Sequence, residues 1–355
     1  MIGAGPAGTV CATLCARAGL KVTIIERSAF PRHKVCGDCL NPACWDIFDE
    51  LGISEEVRQL PHAKINRVIF ESIAGKRAEF SLPSSESRPE IACRRELLDA
   101  LLLDTALRAG CTVVHEAPLT RINRCDNGDH RWLLSHHRGK CSARWIVAAD
   151  GRNSTTAKLL RLQPNAERKA SPRVAWQTHA PLGINTRTDA VTLKFLKNGY
   201  CGIAPVDDHF LNVCLVAEPR AGEDAKNWAT QSYGIPDDST WSSIAPLQRA
   251  DYPPAGPGWL LVGDAARVVE PFTGEGIYYA LESARLAARA LCDNGASRVS
   301  GTYLTAHALL YSGQLWINRL ARLLVRHPSV GSKVTSFMRH FPAPASLLLG
   351  KVTKR

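Results

Sequence analysis

Gly3-Ala4-Gly5-Pro6-Ala7-Gly8, followed by a small-residue run from Thr9 to Gly19 and then by Lys21-Val22-Thr23-Ile24-Ile25-Glu26, decides the fold. A βαβ unit that binds a dinucleotide sets its first glycine at the tight turn, its second where the backbone nears the pyrophosphate, and its third where helix meets strand. Gly3, Gly5 and Gly8 keep that spacing, with Pro6 and Ala7 at the helix start. The run that follows reads as a helix, and Lys21 to Ile25 as a buried parallel strand. Glu26 ends that strand about 20 residues past the loop, where such units place a carboxylate for a ribose hydroxyl. Only Met1 and Ile2 stand for the strand that feeds the loop. That strand is central to a parallel sheet. The expectation is therefore an apolar stretch upstream of Ile2, without which the backbone groups of both neighbours go unpaired.

Working outward, Arg95 to Ala109 has helical periodicity, whereas Thr112-Val113-Val114 and Trp145-Ile146-Val147-Ala148-Ala149 read as strands. Trp259 to Val262 is a further buried strand, and Gly276 to Leu291 a long alanine-rich helix. Between them, residues 174 to 217 carry short strand-like runs such as Val191 to Phe195 and Leu211 to Val216. Breakers fall at Leu82 to Pro89, Asn123 to His130 and Asp251 to Gly258. The expected fold class is α/β. A discontinuous dinucleotide domain takes residues 1–62, 90–165 and 250–295, a β-rich inserted substrate domain takes 63–89 and 166–249, and a helical segment takes 296–355.

Composition narrows the class. At 355 residues with 45% hydrophobic content the chain is long enough for two domains. No stretch approaches the ~20 apolar residues of a membrane span, and a glycine loop stands where a signal peptide would begin. A cytoplasmic location is the expectation. Twelve cysteines at irregular spacing read as reduced thiols rather than a disulfide framework. The net charge of +11 is uneven, because no acid follows Asp293 while nine cations do. Arg319, Arg322 and Arg326 form a basic stripe beside Ile317, Leu320, Leu323 and Leu324. Such a helix suits an anionic surface at the inner face of the membrane. It suits equally a helix docked on the core with a solvated basic face. Nucleic acid is not an expected partner, since no aromatic-rich or recognised binding motif accompanies the charge.

Two further turns sharpen the reading. Trp145 to Ala149 runs into Asp150-Gly151-Arg152, and Trp259 to Val262 runs into Gly263-Asp264-Ala265, followed by Pro271-Phe272-Thr273-Gly274-Glu275-Gly276-Ile277. Together with the glycine loop and Arg95-Glu96-Leu97-Leu98-Asp99, these resemble the FAD-dependent p-hydroxybenzoate hydroxylase superfamily. Phe30-Pro31-Arg32-His33-Lys34-Val35-Cys36-Gly37-Asp38 is similar to the Lys-x-Cys-Gly segment of its geranylgeranyl reductase branch. The resemblance implies a Rossmann-like FAD-binding domain whose cofactor contacts are Gly3, Gly5, Pro6, Ala7, Gly8, Glu26, Arg27, Cys36, Gly37, Arg95, Asp150, Gly151, Gly263, Asp264, Pro271, Gly274, Gly276 and Ile277. The helix start near Gly276 then stabilises negative charge on reduced flavin. It implies reduction of carbon-carbon double bonds in a hydrophobic, isoprenoid-like molecule, with NAD(P)H or a reduced ferredoxin as electron donor. Tyr200 and Pro205 become substrate contacts, although Tyr200-Cys201-Gly202-Ile203-Ala204-Pro205 lacks the two large apolar rings of the branch's Tyr-x-Trp-x-Phe-Pro. No catalytic side chain is implied.

Other readings stay open. The same fold supports monooxygenation of aromatic or polyketide substrates, and halogenases share the architecture. A catalytically degenerate, membrane-associated binding protein is a third reading. Cys36-Gly37-Asp38-Cys39, with Cys44, could form a redox dithiol, but no second GxGxxG is present for the nucleotide such enzymes use. His33, Cys36, Cys39 and Cys44 have plausible zinc spacing, yet the resemblance accounts for Cys36 without metal, and no metal is expected.

Overall fold

The computed structural model describes residues 1–83, 85–127, 130–164, 173–183, 187–247, 249–269, 274–293, 295, 297–312, 323–324 and 327–338. The chain is α/β. Its parallel sheet places Thr112–Val114 beside Thr23–Ile25 and Ile146–Ala148 beside Trp259–Leu261. Residues 1–3 lie between these two pairs. Ile2 bridges Ile25 and Ala148 in parallel, Ile25 N-H donates to Met1 O at 2.9 Å, and Ala149 N-H to Ile2 O at 2.8 Å. Both neighbours therefore find partners at this point in the sheet, and the expected orphaning of their backbone groups does not occur there.

Helices Pro6–Arg17, Arg95–Arg108 and Gly276–Asp293 cover one face of this sheet. The first is buried along nine of its twelve residues, which is why it is built of Ala, Gly, Thr and Cys: larger side chains would hold it off the strands. The other face is covered by the antiparallel ribbon Leu119–Asn127, His130–His136 and Gly139–Ala143, with Trp132 and Leu134 facing inward. Helix Val299–Ser312 also belongs to this body. Tyr303, fully buried, joins the main core and donates from its hydroxyl to Leu261 O at 2.9 Å.

A second sheet has seven strands. Their order is Ser242–Ile244, Val174–Pro181, Phe210–Ala217, Gly199–Pro205, Ala190–Leu196, Arg67–Glu71 and Arg77–Ser81. All neighbours are antiparallel except Ala190–Leu196 with Arg67–Glu71. A small sheet of Cys39–Leu40, Glu90–Ala92 and Ala63–Ile65 stands between the two bodies. Helix Pro328–Met338 lies on the seven-stranded sheet, where Gly331 meets the Phe195 ring. The basic stripe at Arg319, Arg322 and Arg326 and the turn at Pro271 lie outside the described residues.

Candidate active site

Each glycine of the opening loop has a separate reason. Gly3 has φ +97, and a Cβ there would sit 2.7 Å from Ala149 O. A Cβ on Gly8 would stand 1.9 Å from Gly3 O, so this glycine lets the helix press against the loop. Gly5 is different: its Cβ position faces only the ends of Arg32 and Lys34, at 3.6 and 3.9 Å. It caps helix Pro6–Arg17 without a side chain, no acid lies in the first turn, and Pro6 takes the first position. The helix start is thus an open set of amide donors with a positive dipole end.

Glu26, buried at the end of its strand, holds the loop from behind. Its Oε2 accepts from Ala4 N-H at 2.7 Å and its Oε1 from Ser28 N-H at 3.0 Å. Arg27, by contrast, is exposed. In front of the loop stand three cations. Arg95 is buried and forks onto Asp99, Nε to Oδ1 at 2.8 Å and Nη2 to Oδ2 at 2.9 Å. Arg32 Nη1 reaches the same carboxylate at 3.3 Å. Lys34 is held down to a pKa of about 8, first by burial and then by Arg95 and Arg32. Three cations crowd a carboxylate and a helix N-terminus, an arrangement that calls for an anion.

These groups open into a cavity of about 430 Å³ that runs from the glycine loop to the seven-stranded sheet. Gly5, Pro6, Ala7, Cys36, Gly37, Arg95, Gly151, Gly263, Asp264, Gly274, Gly276 and Ile277 line its first half. Gly151, at φ +78, leaves room for Lys34 Nζ, 3.4 Å from where its Cβ would be. Asp264 meets Arg152 Nη2 at 3.3 Å. Arg249 fixes this corner: its Nη2 donates to the Asp264 and Ala265 carbonyls and its Nε to Arg152 O. Gly263 N-H donates to Ser283 Oγ at 2.8 Å, tying the turn to helix Gly276–Asp293.

Asp150 is turned away from the cavity. Its carboxylate accepts from Ser154 Oγ at 2.6 Å and from Thr156 N-H and Oγ1, both at 2.9 Å, and so secures the start of helix Thr155–Leu159. The sequence puts an acid at this turn, and the structure commits it to two hydroxyls and one amide at the start of the next helix.

The segment from Lys34 to Gly37 lines this cavity, and together with Asp38 it is pinned to the second sheet. Cys36 N-H donates to Gln177 Oε1 at 3.0 Å, and Asn212 Nδ2 donates to Cys36 O at 2.9 Å. Asp38, fully buried, pairs with His179 Nε2 at 2.9 Å, and burial pushes its carboxyl above the usual range despite that partner. Cys36 and Cys39 are free thiols, both pushed up by burial, the reverse of what a nucleophilic dithiol needs. Among the described residues no group of three or more His, Cys, Asp or Glu side chains is arranged to hold a metal ion.

The FAD binding domain family matches residues 1–296. The chain belongs to that family. Its relatives include the Menaquinone reductase of Mycolicibacterium smegmatis, 26% identical over 92% of this chain and 84% of that protein. Conditioned medium factor receptor 1 of Dictyostelium discoideum is 30% identical over 82% of this chain, which spans only 62% of that receptor's length. Other relatives range from digeranylgeranylglycerophospholipid reductases to a tryptophan 2-halogenase. Among solved structures, pqsL of Pseudomonas aeruginosa, a probable FAD-dependent monooxygenase, aligns with TM-score 0.75 at 18% identity over 94% of this chain and 98% of that one. That likeness shows the shared fold.

The FAD binding domain is thus an α/β body whose glycine loop fits a pyrophosphate: Gly5 leaves space, the helix start offers amides, and Arg32, Lys34 and Arg95 supply charge. Arg32, Lys34, Arg152 and Arg249 join the site only through the fold. Lys34 had a signal, since it opens the same Lys-x-Cys-Gly segment as Cys36. Arg249 had none, because its work is to gather carbonyls that are distant in sequence.

The rest of the cavity is mostly apolar, with Asn41 and Glu90 as polar members of its lining. Val68, Phe70, Val191, Leu193, Phe195 and Ile203 rise from the seven-stranded sheet, and Val334, Thr335 and Met338 of the last described helix face them. Tyr200, buried, lines it; Pro205 lies on the same strand but is not part of the wall. Gly202 stands where a bulky ring would narrow the space.

Proposed function

We propose that this chain is an FAD-dependent oxidoreductase that reduces carbon-carbon double bonds of a hydrophobic, isoprenoid-like substrate, with electrons from NAD(P)H or a reduced ferredoxin. The observation that carries the reading is the form of the cavity: a cationic, amide-rich end at the glycine loop leads directly into a wall of aliphatic and aromatic side chains. At about 430 Å³ its volume lies within the range of small-molecule sites. Likeness to the Lys-x-Cys-Gly segment of geranylgeranyl reductases and to a menaquinone reductase over most of its length supports the same direction.

In this reading FAD supplies the two-electron chemistry. The chain's own residues bind and orient it. Arg32, Lys34 and the Ala7 and Gly8 amides would take the pyrophosphate, Glu26 the ribose and Asp264 the ribityl chain. The start of helix Gly276–Asp293, which lines the cavity, would favour negative charge on the bound flavin. The sheet wall excludes water and holds the substrate. Leu323, Val330 and Phe337 are exposed beside Lys333, next to the cavity, and support peripheral contact with a membrane through the C-terminal segment.

Anaerobic turnover tests the reading. Purified protein loaded with FAD and reduced by NADPH or dithionite is offered geranylgeraniol or menaquinone, and products are weighed. A gain of two hydrogens per turnover is expected. Oxygen uptake with insertion of one oxygen atom into a substrate would instead establish monooxygenation.

A further inference from the structure

We infer that Glu90 is the proton donor for this reduction, a catalytic residue on the cavity wall; the inference rests on the reductase reading above. Glu90 opens the strand Glu90–Ala92, the middle strand of the small sheet, and pairs across it with Ile65. Strand alternation puts its side chain on the same face as Ala92, whose neighbours Val68, Phe80, Leu82 and Ala204 belong to the seven-stranded side. Glu90 accordingly lines the cavity with Val68, Phe70 and Leu82.

Among the described residues no hydrogen bond or ion pair reaches its carboxyl. Its titratable neighbours include the thiols of Cys39 and Cys44, both pushed up by burial and neutral. On the neighbouring strand Lys64 is exposed and sits opposite Ile91, on the other face. On helix Gly276–Asp293, Glu282 is engaged by Arg285 at 2.6 Å. Nothing compensates an ionised Glu90, and burial pushes it up to about 8. An acid in an apolar pocket, neutral at pH 7, holds a proton that it releases far more readily than the raised thiols of Cys39 and Cys44 release theirs.

Saturating an alkene requires a hydride on one carbon and a proton on the other. Glu90 gives its proton to one carbon as the other receives hydride from the reduced flavin. The carboxyl O-H bond and the hydride-bearing N-H bond of the reduced flavin break, two C-H bonds form as the π bond is consumed, the flavin is left oxidised, and water reprotonates the carboxylate afterwards. The cationic end offers no comparable donor, because its arginines hold their protons and Lys34 lies over the glycine loop, away from the apolar wall.

The test separates proton delivery from every other step. Stopped-flow kinetics follow flavin reduction by the donor and, separately, flavin reoxidation by geranylgeraniol under argon, in wild type, Glu90→Gln and Glu90→Asp. The inference expects unchanged FAD binding and flavin reduction, with reoxidation slowed by roughly 10²–10⁴ in Glu90→Gln. Wild-type reoxidation should fall as pH rises through about 8, and Glu90→Asp should keep that pH dependence even if Glu90→Gln does not fold. Infrared difference spectra between wild type and variant, taken without substrate, should show a protonated carboxyl band at neutral pH. Wild-type reoxidation rates in Glu90→Gln overturn the inference, and so does an ionised Glu90 at pH 7. If wild type saturates no substrate and consumes oxygen instead, the reductase reading fails and this role with it; slow reoxidation confined to the variant points the other way.

Discussion

At Gly8 an added methyl would stand 1.9 Å from a carbonyl oxygen, while at Gly5 it would meet nothing nearer than the ends of two long cations at 3.6 and 3.9 Å. One glycine serves the fold and the other serves the ligand, so substitution should separate them. Gly8→Ala is expected to lower stability by about 1–3 kcal/mol or more through overpacking and to lose FAD as a consequence. Gly5→Ala should cost about 1 kcal/mol or less, yet weaken FAD binding at least tenfold, because its methyl occupies ligand space. Thermal melts of apo protein alongside flavin fluorescence titrations check both. Gly5→Ala melting like wild type and binding FAD normally would remove the pyrophosphate assignment. A second residue-scale effect lies at His307, packed between the rings of Tyr303 and Tyr311 and held down to about 4, mainly by burial and then by Arg267. Its folded pKa lies below its ordinary value of 6.5, so the neutral form contributes stability above pH 6.5 that is lost as pH falls toward 4. That loss is on the order of 3 kcal/mol. His307→Phe should flatten the acid limb of a plot of melting temperature against pH.

Helix Pro328–Met338 carries glycine where it crosses Phe195, and a Cβ on Gly331 would fall 2.4 Å from that buried ring. The helix has no charged residue in its first turn, and its inward side chains form part of the cavity wall. Its docking therefore depends on close packing rather than on ion pairs. Gly331→Val should cost about 1–3 kcal/mol and loosen the helix from the sheet while leaving the glycine-loop body intact. Proteolysis near Leu323 should accelerate without loss of bound FAD; cleavage at the wild-type rate would show that the helix is held elsewhere. Elements of this kind mark the boundary of what periodicity can say. The buried strands and the small-residue helix were legible, because burial on both sides leaves an uninterrupted apolar or small-residue run. The role of Asp150 was not. An acid before a glycine turn reads the same whether its carboxylate faces a ligand or, as here, collects Ser154 and Thr156 at a helix start. Glu90 was equally hidden, since a carboxyl becomes a neutral acid only when elements distant in sequence close over it.

On the scale of the molecule, the site exists because two bodies share one short segment. Lys34 to Gly37 lines the cavity from the side of the glycine loop, and its backbone is satisfied by the other body through Gln177 and Asn212. The motif containing Lys34 and Cys36 was visible in the sequence; its anchorage was not, because the partners lie 141 and 176 residues away and carry no pattern of their own. Such an anchor should govern how well the segment is ordered when the cofactor arrives. Gln177→Leu removes the acceptor for Cys36 N-H and leaves Asp38 with His179 as its partner. A buried amide left unpaired costs about 1–3 kcal/mol, but strand Val174–Pro181 keeps its ladder with Phe210–Ala217, so the penalty should fall on the segment. Hydrogen exchange at Cys36 is then expected to speed by roughly 10–100-fold while the ladder amides keep wild-type protection. FAD affinity should drop in parallel, since Arg32 and Lys34 would no longer be held over Gly5 before binding. Uniform acceleration across the whole sheet would mean instead that Gln177 supports the second body as a whole and that the two bodies meet without a dedicated hinge.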